Sequence, residues 1–264
     1  MVTVGSFEVV PLLDAVGAFP APVAEAFPGV SEQALAAARR RDPEAFGDDG
    51  SWRPAFRCYA VRRAGGGIVL VDAGVGPHDS PAASWAPVPG SLPARLDAAG
   101  IAPDDVEVVV LTHLHEDHVG WAVDGTPRFP RARHLAQRSD VAALSPGSAV
   151  AARVVAPLRR AGLLEEVDGR ATLVSAGDER LEVVPTPGHT PGHQSLVVDG
   201  GGRRVVVTGD VLVAALQLVA PDLAYRFEQD RALARQTRLR LLADARRERA
   251  LLATAHLTEP FVQP

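Results

Sequence analysis

The heptapeptide Thr112-His113-Leu114-His115-Glu116-Asp117-His118 constrains this chain more than any other feature. It follows directly on Val106 to Leu111, a Val-rich run that predicts a buried strand. Three of the chain's eight histidines fall within it. In an extended segment His113 and His115 point to one side. Asp117 and His118 then open a turn or helix and face a second point nearby. Neutral imidazoles and carboxylates are the ligands that suit zinc and similar divalent cations. Four such groups would crowd one ion, so the motif predicts two adjacent ions.

Three later residues fit the same chemistry. His189 lies in the turn-rich run Thr186-Pro187-Gly188-His189-Thr190-Pro191-Gly192-His193. Asp210 follows Thr208-Gly209, and His256 follows Leu251 to Ala255. All three come at predicted strand ends, where α/β scaffolds place their sites. Each carries little alone, and their value lies in the joint fit.

Composition narrows the setting. Of 264 residues, 47% are hydrophobic and 22% charged, the balance of a soluble globular chain. The net charge of −5 argues against a nucleic-acid or anionic-membrane partner. Cys58 is the single cysteine, so no intrachain disulfide is expected. The start lacks the basic and apolar run of a signal peptide, and no apolar stretch is long enough to span a membrane. A cytoplasmic protein is the expectation. There is no lysine, so all 27 basic residues are arginine.

Along the chain, Val2 to Leu12 predicts a first strand. Residues 17 to 56 leave that rhythm, with a Ser31-capped helix from Glu32 to Arg40, and read as a lid, a dimer contact or a surface insertion. Hairpins are expected around Ala64-Gly65-Gly66-Gly67 and Asp199-Gly200-Gly201-Gly202. Ser91 to Ala99 predicts a helix closed by Gly100. Arg133 to Ala136, Thr172 to Val174 and Leu181 to Pro185 read as short strands. Glu228 to Arg249 reads as a long helix, with Arg231, Arg235, Arg238 and Arg240 on a solvated face. Ala250 to Ala255 reads as a last strand. Strands in hairpins followed by a helix, twice over, predict two sheets with outer helices. His134, inside a strand, reads as structural, and His78 as exposed.

The chain resembles the metallo-β-lactamase fold superfamily over almost its whole length. The matching pieces are Asp72-Ala73-Gly74, His113-x-His115-x-Asp117-His118, Gly188-His189-Thr190-Pro191-Gly192-His193, Gly209-Asp210 and His256. The resemblance implies one αββα sandwich over residues 1–264 with a dinuclear metal site. One ion would be held by His113, His115 and His189, the other by Asp117, His118 and His256, with Asp210 bridging. Zinc is expected, with manganese, iron or cobalt as substitutes. A bridging hydroxide would be the nucleophile, and Asp117 would pass a proton to the leaving group. Asp72 and His193 would support ligands from behind.

Within that superfamily the resemblance narrows to the lactonase and methyl-parathion-hydrolase-like group. It rests on the run from Gly188 to Ser195, on Gly209 through Gln217 to Asp230, and on Ala255-His256-Leu257. This implies a small ester or lactone substrate, with a homodimer as a group-level expectation. Two departures stand out. Lactonases of the best-known type carry a tyrosine three residues after the bridging aspartate, where this chain has Val213; Tyr225 is the substitute at hand. The Phe-Pro-Gly that often follows the last ligand is replaced by Leu257-Thr258-Glu259-Pro260-Phe261. Trp52, Phe56, Trp121, Leu216, Tyr225 and Phe227 are candidates for an apolar substrate pocket. The alternatives are a biosynthetic thioesterase, a phosphotriester hydrolase and a mononuclear-iron sulfur dioxygenase. Glyoxalase II-like thioesterases usually add a C-terminal helical domain, whereas eight residues follow His256 here.

Overall fold

Strands that bury both faces need apolar side chains at odd and even positions alike. The computed structural model, which describes residues 1–63 and 65–264, shows this pattern in the central strands of its two main sheets. Val69 and Val71 enter one core and Leu70 another; Val108 and Val110 split from Val109 in the same way. Val205 and Val207 face inward while Val206 faces outward.

The first sheet has seven strands, in the order Val2–Val4, Phe7–Val16, Ala55–Arg63, Ile68–Val71, Val106–Val110, Arg133–Gln137 and Leu164–Val167. The second has six, in the order Ala171–Ala176, Glu179–Pro185, Gln194–Gly200, Arg203–Val207, Leu251–Ala253 and Phe261–Val262. Phe7, Tyr59 and Val61 of one sheet meet Leu181, Leu196 and Val198 of the other in the central core. The helices Leu92–Ala98 and Ala156–Arg160 cover the first sheet through Leu92, Leu96 and Leu158. The helix Arg231–Glu248 covers the second through Leu242 and Ala245. The layers therefore run αββα, as expected. Parallel pairing of Ile68–Val71 with Val106–Val110, and of Arg203–Val207 with Leu251–Ala253, lets those strands release their chains side by side.

The expected first strand is a hairpin. Gly5 turns the chain at φ +57°, a conformation open to glycine, and Glu179 holds the turn by accepting the Ser6 N–H at 2.6 Å. The Ser31 cap is present, its hydroxyl accepting the Ala34 N–H at 3.1 Å. Of the expected glycine turn, Ala64 lies outside the described residues. The long helix begins at Arg231, not Glu228, because the Asp230 side chain caps it by accepting the Leu233 N–H at 2.9 Å. The helical stretch Ala151–Val155 to Arg160 and the strand Leu164–Val167 had no clear signal, since Pro146, Gly147 and Pro157 interrupt that segment.

One correction concerns the long helix. Arg231, Arg235 and Arg240 face solvent, but Arg238 is fully buried. Its guanidinium donates to the buried Glu228 carboxylate at 2.7 Å and to the carbonyls of Pro221 and Leu223 at 2.8 and 3.0 Å. Gln217 joins the same carboxylate at 3.1 Å and accepts the Val213 N–H at 2.8 Å. An arginine pins the irregular 211–229 segment because two carbonyls and a counter-charge meet its fork.

Two stability measurements follow. Glu228→Leu leaves a buried guanidinium unpaired and is expected to cost about 3–5 kcal/mol in urea unfolding. Arg235→Ala, which removes an exposed pair with Asp222, is expected to cost under about 1 kcal/mol. Burial lowers the His134 imidazole to about 4. The unfolded chain, with that group near 6.5, binds more protons between about pH 4 and 6.5. Stability contributed by this residue is present above that window and lost as pH falls through it, by up to about 3 kcal/mol. The fall in urea midpoint between pH 7 and pH 4.5 should be shallower in His134→Leu than in the parent.

Candidate metal centre

The ligand candidates arrive from separate strand ends. The strand Val106–Val110 delivers Thr112 to His115, and one helical turn, Glu116–Val119, carries Asp117 and His118. Arg203–Val207 delivers Asp210 on a single turn, Gly209–Val211. Gly209 sits at φ +50°, and a Cβ there would lie 2.6 Å from His193 Nε2, so a side chain is excluded. Leu251–Ala253 leads to His256, and His189 sits in the loop after Glu179–Pro185.

These seven residues form two groups. His113, His115, His189 and Asp210 offer donor atoms that all lie within 4.8 Å of one another, as do Asp117, His118 and His256. In the first group His115 Nδ1 lies 2.9 Å from both His113 Nε2 and His189 Nε2. Asp210 Oδ2 lies 3.3 Å from His189 Nε2 and 3.9 Å from His113 Nε2. In the second, Asp117 Oδ2 lies 3.4 Å from His118 Nε2 and 3.6 Å from His256 Nε2. Asp210 Oδ1 closes that group at 3.3 and 3.0 Å from the same nitrogens. Asp210 thus faces both groups with different oxygens. A tetrahedral zinc with bonds near 2.1 Å separates its ligand atoms by about 3.4 Å. The donor set and its spacing therefore fit a divalent cation in each group. His118 Nε2 and Asp210 Oδ1 are buried with no hydrogen-bond partner among the described residues, which is the condition of atoms shaped to hold metal.

Hydrogen bonds from behind fix the tautomers. Asp72, at φ +62°, accepts the Thr112 N–H at 2.7 Å, the Thr112 hydroxyl at 2.9 Å and His118 Nδ1–H at 2.8 Å. The Thr112 hydroxyl, its proton spent on Asp72, is left to accept His113 Nδ1–H at 3.1 Å. His256 Nδ1–H donates to the Ala55 carbonyl at 2.8 Å. All three rings thereby turn an Nε2 lone pair toward the centre. His193 accepts the Asp210 N–H at 2.9 Å on Nε2 while Nδ1 meets the Thr186 hydroxyl. Burial lowers its imidazole to about 3, as a neutral acceptor requires.

Charge divides the cluster. Burial, with help from neighbouring imidazoles, pushes His113 and His189 well below the ordinary range. Burial also opposes charge on His118, but the carboxylates of Asp117, Asp210 and Asp72 outweigh it and push that ring well above. Burial opposes the Asp210 carboxylate, yet His256, His118 and His189 hold it well below the usual range. Cation binding at the second group would displace protons from its rings.

A cavity of about 420 Å³ opens over both groups. Trp52, Phe56, Tyr225 and Phe227 line it, together with Phe19 and Trp85, which the sequence did not single out. The Tyr225 ring stacks on His189 at 6.1 Å between centroids and 11° between planes. Two pocket candidates lie elsewhere. Trp121 packs into the core outside the first sheet and donates its indole N–H to Asp14 at 3.2 Å. Leu216 is buried among Phe27, Trp52 and Tyr225, behind the wall. The 17–56 excursion is no loose insertion: Val23, Phe27, Phe46 and Trp52 pack on Val213 to Leu216 and Tyr225. Asp140 is a residue that sequence reasoning missed. It accepts the Leu114 N–H at 3.0 Å and the Gly192 N–H at 2.7 Å, tying the two histidine loops together. No local motif marks it, because its partners are distant in the chain.

Comparison with known proteins agrees with the fold. The chain is 39% identical over 112 residues to the N-acyl homoserine lactonase AttM of Azorhizobium caulinodans, covering 40% of each chain. It thus spans about two-fifths of the length of that curated relative. Among solved structures, hydrolase AbOPH of the beta lactamase superfamily superposes with a TM-score of 0.81 at 24% identity, over 99% of this chain and 91% of that one. The dizinc quorum-quenching lactonase AidC superposes with a TM-score of 0.77 at 20% identity, over 98% and 90%. The family model "Metallo-beta-lactamase superfamily" matches residues 57–252, the span that carries most of the strands and six of the seven clustered donors. The chain belongs to the metallo-beta-lactamase superfamily.

Proposed function

We propose that the protein is a hydrolase of carboxylic esters, with lactones as its preferred substrates, working at a centre of two divalent cations, zinc first among them. The observation that carries this reading is the pair of donor groups sharing Asp210 beneath an aromatic cavity. His113, His115 and His189 would hold one cation, and Asp117, His118 and His256 the other, with Asp210 between. Two such cations supply hydroxide at neutral pH and draw charge from a scissile carbonyl. AttM, named for lactone hydrolysis, adds support from sequence.

The chain's own residues do the rest. The cavity size suits a small substrate, and its aromatic walls keep water from the scissile bond. Asp117 lines the cavity, and its second oxygen would pass a proton to the departing alkoxide. The Tyr225 hydroxyl makes no hydrogen bond to the described residues and reaches the same cavity, so it can donate to a substrate oxygen in place of the phenol missing at Val213. Asp72 and Thr112 keep His118 and His113 in the required tautomers, and His193 holds the Asp210 backbone.

Acid release from a panel of γ-lactones, thioesters and phosphotriesters tests the reading. The lactones should be opened fastest, with activity lost to a chelator and restored by zinc, manganese or cobalt. His115→Ala and Asp210→Ala should each lower kcat/KM by about 10³-fold or more. Full metal content with no ester or lactone opened would overturn it.

A further inference from the structure

The metal ligands do not account for all the charge in the cavity. Among the described residues lining it, Glu116 is the one charged side chain outside the two donor groups, and none of the 27 arginines reaches it. Asp117, the next residue, turns its carboxylate to His118 and His256; Glu116 turns instead to Trp85, whose indole N–H it accepts at 2.7 Å. Trp85 stands edge-on to Phe19 at 5.9 Å and lies 6.0 Å from Phe56, and Phe19 stands edge-on to Phe227 at 5.9 Å. The half-buried carboxylate thus borders a continuous aromatic wall.

Two independent terms in this arrangement favour positive charge. Aromatic faces attract cations through their quadrupole. A carboxylate partly withdrawn from water attracts them more strongly than one in bulk solvent. The centre itself does not offset this. Beside two divalent cations and a hydroxide would stand the buried carboxylates of Asp72, Asp117, Asp140 and Asp210, which leaves no excess positive charge there, and Glu116 adds a negative one on the wall. No arginine lines the cavity, and Arg226, 5.7 Å from the Phe227 ring centroid, is paired with Glu25, so a substrate carboxylate or phosphate outside the reacting group meets no free counter-charge.

Resting on the hydrolase reading above, we propose that Glu116 is a specificity-determining residue, and that it selects esters or lactones whose distal group is a substituted ammonium while disfavouring anionic ones. A competing role, holding Trp85 in place and nothing more, needs a hydrogen-bond acceptor but no charge. Glu116→Gln separates the two, since it keeps the acceptor and removes the charge.

The experiment compares kcat/KM of the metal-loaded enzyme for acetylcholine and its uncharged isostere 3,3-dimethylbutyl acetate, with 4-acetoxybutanoate as the anionic member. The expected order is cationic above neutral above anionic, with about tenfold between the first two. In Glu116→Gln the cationic-to-neutral ratio should collapse toward one. A ratio near one in the parent, or one unmoved by Glu116→Gln, would overturn the proposal. If none of these acetates is hydrolysed, the lactone panel above still decides the hydrolase reading, and binding decides the proposal by itself. Choline and 3,3-dimethylbutan-1-ol are then titrated against tryptophan fluorescence, to which Trp52 and Trp85 on the cavity wall contribute. Tighter choline binding that is lost in Glu116→Gln upholds charge selection, and equal binding of the two rejects it.

Discussion

Seven imidazole and carboxylate groups converge on two points, and unmet lone pairs packed this closely repel one another. His115 Nδ1 faces two other ring nitrogens at 2.9 Å, and one shared proton can satisfy a single pair of them. Divalent cations would turn that repulsion into coordination. The rest of the fold is arranged around this demand. Strands from both sheets end beside one another, and the ligands occupy the turns that follow. The strands Val106–Val110 and Arg203–Val207 therefore have to keep their register within their own sheets, because a slip of a single residue turns a strand's side chains to the opposite face.

The supporting contacts are as demanding as the ligands. Asp72 holds a left-handed backbone conformation, uncommon for a residue other than glycine, and in it meets Thr112 and His118 together. Through the Thr112 hydroxyl it also sets the tautomer of His113. Asp140 clamps the loops that bear His115 and His189, and His193 holds the backbone of Asp210. On the outer side, Arg238 and Glu228 stabilise the irregular chain that continues from Asp210 to the Tyr225 wall. Ligand geometry is thus determined by buried polar groups whose partners come from distant elements.

That division explains what could be read in advance. The histidine motif is local, and its two-residue spacing after a strand carries its meaning in seven letters. The Ser31 cap and the valine alternation are local too, and both appear in the structure. Arg238 was misread because a helix rich in arginine gives no local sign of which one turns inward; only the carbonyls of Pro221 and Leu223 decide that. Trp121 and Leu216 are apolar like the true wall residues, and composition cannot distinguish a residue on a cavity from one behind it. Phe19 and Asp140 act through contacts that no spacing in the sequence encodes.

The proposed pair of cations is the claim on which the chemistry stands. Elemental analysis of protein purified without added metal addresses it directly. Two divalent ions per chain, zinc first among them, is the predicted result. One iron per chain would contradict it and shift the site toward the chemistry of a mononuclear oxygenase.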